Sequence, residues 1–113
     1  MASTKRDSAA AAMGEKVIED LQIGFGFLIP ADETLACEVV AVSDFDGRSF
    51  ITDLYDLMHC DMVQAVTLEN GTLWCDENAQ HRRSNRILNR RAMEMFGHEV
   101  YGGTLVGNVV ITR

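Results

Sequence analysis

Little in these 113 residues invites a chemical assignment. The three cysteines, Cys37, Cys60 and Cys75, are odd in number and lack any Cys-x-x-Cys spacing, which argues against both a disulfide framework and a zinc knuckle. No apolar run approaches the roughly 20 residues that a membrane-spanning helix needs, so no membrane partner is expected. Met1 to Ser8 carries two positive charges, Lys5 and Arg6, but the alanine run behind it is too short and too weakly apolar for a secretory core. A cytoplasmic location is the expectation.

The motif fragments are equally incomplete. Gly24-Phe25-Gly26 lacks the third glycine, the preceding strand and the following helix of a dinucleotide fingerprint, and reads as glycines where a strand bends or packs closely. Asp44 and Asp46 with Gly47 lack the further oxygen ligands and distal Glu of a calcium loop, leaving a solvated turn. His59, Cys60, Cys75 and His81 are too irregularly spaced for a zinc site; a capping histidine and packed thiols are expected instead. No nucleophile motif surrounds Cys60 or Cys75, whose candidate bases are His59, His81 and His98. The sequence therefore assigns no catalytic residue, no metal and no cofactor.

The composition, 47% hydrophobic and 24% charged, is that of one ordinary globular domain with a modest core. Its net charge of −7 is unevenly laid out. Residues 82–91 hold Arg82, Arg83, Arg86, Arg90 and Arg91 and no acid, a local +5, so the remainder sums to −12. General nucleic-acid binding is not expected, because the long-range field repels a polyanion.

Residues 1–22 read as an N-terminal tail, disordered or partly helical: Met13, Val17, Ile18 and Leu21 recur at helical spacing, with Gly14 weakening the pattern. A single α+β domain is expected over 23–113. Ile23 to Ile29 reads as a strand stopped by Pro30, and Cys37 to Val42 returns beside it. A helix follows from Ser49, with Asp53 near its positive end and Phe50, Leu54, Leu57 and Met58 on one face. Val63 to Leu68 and Thr72 to Cys75 flank Asn70-Gly71, which predicts a β-hairpin with a type I′ turn. Asn108 to Thr112 is the final strand. The order strand-strand-helix-hairpin-helix-strand predicts a mainly antiparallel sheet of about five strands, packed by two helices.

From Gly26 onward several collinear pieces resemble the domain-of-unknown-function family 3846, small proteins encoded largely by bacteriophages and bacteria. They are Phe27-Leu28-Ile29-Pro30-Ala31-Asp32, Met62 to Leu68, Asp76-Glu77-Asn78, Asn89-Arg90-Arg91-Ala92 leading a helix to Phe96-Gly97, and Leu105 to Ile111. The resemblance implies a phage or phage-like origin and supplies no activity, since a fold alone does not give a function. It also implies Asn89 as the N-cap of the second helix, with Arg82 to Leu88 a loop. Sequence alone permits an earlier start near Ser84, which puts Leu88, Ala92, Met95 and Phe96 on the buried face. In both cases the arginines are expected to face solvent.

Functionally, a non-enzymatic protein that binds a host or phage protein is expected, through His81, Arg82, Arg83, Arg86, Arg90 and Arg91. The alternative is a small phosphate-containing ligand such as a nucleotide, or nucleic acid, held by the guanidinium forks of the same segment. A second copy of the chain is a further candidate partner for the basic face, through the acidic remainder.

Overall fold

The chain runs α1 (Lys5–Asp20), β1 (Phe25–Ile29), β2 (Glu38–Ala41), α2 (Arg48–Met58), β3 (Val63–Thr67), β4 (Thr72–Asp76), α3 (Arg90–Phe96), a 3-10 turn (Gly97–Glu99) and β5 (Val109–Thr112). This is a computed structural model, which describes residues 5–43, 48–79 and 87–113. The strands form one antiparallel sheet in the order β2-β1-β5-β4-β3. The expected α+β class and five-stranded sheet are found, with three helices among the described residues rather than two.

The helices divide between the two faces of the sheet. On one face Ile18 of α1, Leu21 just beyond its end, and Ala92, Met95 and Phe96 of α3 pack over Ile29, Leu73, Val109 and Ile111. On the other, Phe50, Leu54 and Met58 of α2 pack over Val110. These three recur every fourth residue, so one stripe of the helix meets the sheet, and burying each contributes roughly 1.5–3 kcal/mol as an upper figure. Phe50 meets Trp74 edge to face, with ring centroids 5.3 Å apart. The Trp74 indole N–H donates to the Thr112 hydroxyl at 2.9 Å, which satisfies the one polar side chain of β5.

Helix α2 ends where His59 takes a left-handed φ of 55° and the Cys60 N–H donates to the Tyr55 carbonyl at 3.1 Å. This is the helix-ending geometry that usually falls to glycine, and histidine is one of the side chains that tolerate it better than most. Asp53 does not serve its own helix start. Its Oδ2 accepts the Ser43 N–H at 2.8 Å and so ties the exit of β2 to α2.

The N-terminal segment takes the helical one of its two expected forms, and two further expectations change. The N-terminal helix has 16 residues and packs against α3; its inward residues are Gly14 and Ile18, continued by Leu21 just past its end, with Met13 turned to solvent. Gly14 is no weakness there: a Cβ on it would lie 2.9 Å from both the Met95 carbonyl and the Phe96 ring, so the missing side chain sets how closely the helices approach. The β3–β4 turn is not type I′, since neither Asn70 nor Gly71 has positive φ. Thr67 pairs with Thr72, and the Leu68 N–H donates to the Gly71 carbonyl at 2.9 Å, so the loop is Glu69-Asn70. Gly71 is needed because its Cβ would stand 2.7 Å from the Thr112 carbonyl. The turn residues Asp44, Asp46 and Gly47 lie outside the described residues.

Candidate functional site

The sequence directs attention to the basic segment, and the structure describes its C-terminal part, the corner where α3 begins. Asn89 caps α3 as the family resemblance implies: its Oδ1 accepts the Ala92 N–H at 3.0 Å. The same side chain is fully buried and donates from Nδ2 to the carbonyls of Ile29 (2.8 Å) and Gly107 (2.9 Å). One amide thus joins the end of β1, the approach to β5 and the first turn of α3. Asn108 adds a stitch, accepting the Ala31 N–H at 3.0 Å on Oδ1.

Arg91 belongs to this latch and not to a solvent-facing patch. Its Nη2 donates to the carbonyls of Pro30 (2.7 Å) and Asp32 (3.1 Å), so the guanidinium clamps the connector between β1 and β2. Its Nε is buried and has no hydrogen-bond partner among the described residues. The connector is further shaped by Asp32, whose Oδ1 accepts from both the hydroxyl (2.6 Å) and the amide (2.9 Å) of Thr34. Those two bonds, the hydroxyl first, hold the Asp32 carboxyl below the usual carboxylate range.

Arg90 does face solvent and lies 3.9 Å from Glu33, an exposed pair worth little. Just before Asn89, Ile87 and Leu88 are 54% and 51% exposed, whereas a helix starting near Ser84 would bury Leu88. Their backbone explains this. Leu88 bridges to Val106, the Ile87 carbonyl accepts the Gly107 N–H at 2.8 Å, and the segment runs along the surface before Asn89 turns it into the helix. His81, Arg82, Arg83 and Arg86 lie outside the described residues. The structure therefore separates two of the six expected residues, Arg91 as a clamp and Arg90 as exposed charge, and adds an apolar pair that the sequence reading assigned to the loop or the core.

The thiols show packing chemistry. Burial, with Asp76, Cys60 and Glu77 adding negative charge or its prospect nearby, pushes the Cys75 thiol up to about 11. It stays protonated at neutral pH and is a poor nucleophile. No group of three or more His, Cys, Asp or Glu side chains among the described residues is arranged to hold a metal.

Away from α3 is a feature the sequence reading missed. An open cleft of about 360 Å³ lies between the end of α1 and the β1–β2 pair, lined by Val17, Leu21, Phe25, Phe27 and Val39, with Asp20 and Gln22 at its polar side. The apolar alternation of Phe25, Phe27 and Val39 was its signal, but that pattern is the same for a covered sheet face.

Comparison of the chain with protein-family models, with curated proteins and with solved structures finds no match in any of the three.

Proposed function

We propose that this chain is a small non-enzymatic binding protein of bacteriophage origin, as the resemblance to family 3846 implies, and that it acts in the host cytoplasm by binding a host or phage protein. The observation that carries the reading is the pairing of exposed Ile87 and Leu88 with exposed Arg90 at the described end of the arginine segment. Apolar side chains interleaved with arginine are the composition of protein-binding surfaces, where arginine supplies both packing and directed hydrogen bonds. The local +5 on a chain otherwise at −12 steers an acidic partner face onto this corner.

The test is a native mass spectrum of the chain purified gently from its natural host. A co-purifying protein is expected, and it should be lost when Arg82, Arg83 and Arg86 are reversed in charge together. A bare chain, or a partner unaffected by that reversal, removes the basic segment from the account. An adduct of a few hundred daltons, on the order of a nucleotide and lost on reversal, replaces the protein partner with a small phosphate-containing ligand.

A further inference from the structure

A different edge of the molecule carries its own information. The Val42 N–H donates to the Gly24 carbonyl at 2.9 Å, and Gly26 pairs with Val40 and Leu28 with Glu38. Antiparallel alternation then points the backbone groups of Glu38, Val40 and Val42 toward β1, and those of Cys37, Val39 and Ala41 away from the sheet. Among the described residues β2 has no neighbour but β1. The outward row is a pairing template, and no lysine, proline or bulge blunts it.

Its side chains sort by face. Val39 and Ala41 stand opposite Phe27 and Phe25, on the face that bears the apolar cleft. Val39 is 59% exposed and Phe25 41%. Glu38, the one charge of β2, lies on the α2 side with Val40.

We infer that the β2 edge pairs with β2 of a second copy, antiparallel about a two-fold axis at Val39, to give a continuous ten-stranded sheet. In this register Val39 meets Val39 and exchanges both hydrogen bonds with it, while Cys37 meets Ala41 on either side. Glu38 falls opposite Val40 and never opposite itself. A strand whose cleft face is wholly apolar, and whose single charge avoids its own symmetry mate, is complementary to itself. The clefts of the two copies then adjoin across the axis, extending contact beyond the strand toward the roughly 800 Å² per partner of a standard interface. This inference is independent of the basic face at α3.

Because both copies carry −7, their mutual repulsion is long-range and salt screens it within about 8 Å at physiological ionic strength. Pairing therefore strengthens as salt is raised, whereas capture of a basic foreign strand at the same edge weakens.

Light scattering coupled to size exclusion, over a dilution series at low and moderate salt, tests this on the full chain. The expected mass is twice 12.5 kDa, with the dimer more populated at the higher salt. Val39→Lys should return the mass to a monomer with an unchanged circular dichroism spectrum, and Ala65→Lys on the opposite edge strand β3 should leave the dimer intact. Val39→Cys gives a positive readout that does not depend on disrupting the interface. Facing residues of a hydrogen-bonded antiparallel pair are about 5.5 Å apart at Cα, within disulfide range, so mild oxidation should yield a covalent dimer that wild type does not form. A monomer at about 100 μM at every salt concentration overturns the inference. So does a dimer broken by Ala65→Lys and not by Val39→Lys, or one that weakens with salt.

Discussion

Strands β5 and β2 have nearly the same length and character, Val109-Val110-Ile111-Thr112 against Glu38-Val39-Val40-Ala41, yet all four residues of β5 are buried and none of β2 is. The two differ in position and little else. β5 lies between β1 and β4, with α1 and α3 over one face and α2 over the other, whereas β2 ends the sheet beyond the reach of α1. Aliphatic content permits a strand, and the order of strands decides whether its side chains become core or contact surface.

Substitution at equivalent positions should make that contrast sharpest. Val110→Asp places a charge beneath α2, where no partner compensates it, and is expected to cost several kcal/mol and prevent folding. Val39→Lys at the edge, measured at a concentration low enough to keep the chain monomeric, should shift stability by no more than about 0.5 kcal/mol. Urea unfolding monitored by Trp74 fluorescence compares the pair, and similar losses at both sites would erase the distinction.

The next effect concerns how β5 is held in the middle. Asn89→Ala removes the α3 cap and leaves the Ile29 and Gly107 carbonyls without their buried donor, a loss of about 3 kcal/mol from one cap and two hydrogen bonds. The same substitution at Asn70, in the exposed hairpin loop, should be nearly silent in thermal melts. Gly71→Ala is expected to cost about 1–3 kcal/mol, because the new methyl meets the Thr112 backbone carbonyl, which cannot move without shifting β5. An unchanged melting temperature for that variant would mean that hairpin and central strand are less closely packed than their geometry implies.

A smaller effect separates the sheet centre from its rim by pH. The Cys75 thiol, opposite Val109, is raised to about 11 from 9.0. Its contribution to stability is therefore complete below pH 9 and lost as pH rises toward 11, since the unfolded chain releases the proton first. Cys75→Ala should flatten this alkaline decline, whatever it costs at neutral pH; an unaltered alkaline slope would assign the decline to other groups.

Much of the fold was legible locally. The spacing of Phe50, Leu54 and Met58 marked α2 and its buried face, and two β-prone runs around Glu69-Asn70-Gly71 marked the hairpin. What did not hold was the role read for two glycines. Asn70-Gly71 looked like a demand for positive φ, but Gly71 makes room for the Thr112 carbonyl. Gly14 looked like a helix breaker and is the contact point with Phe96. Both roles depend on a surface brought up from elsewhere in the chain, which no window around the glycine contains. The candidate site shows the same limit: Arg90 and Arg91 are adjacent and chemically identical, and a difference of about 100° around α3 sends one to solvent and the other to the carbonyls of Pro30 and Asp32.

By itself the sequence determined the class of element at most positions, the uneven charge and the lack of any recognisable catalytic or metal motif, because these follow from side-chain chemistry and from periodicities of two and 3.6. Only the tertiary structure decided that the last strand enters the middle of the sheet, that α1 closes one face while leaving β2 open, and that Arg91 is a clamp. Those outcomes come from pairings between segments 34 to 84 residues apart, where many combinations share the same local preferences and the selection is made by simultaneous packing on both faces and by buried amides such as Asn89 finding all their partners at once.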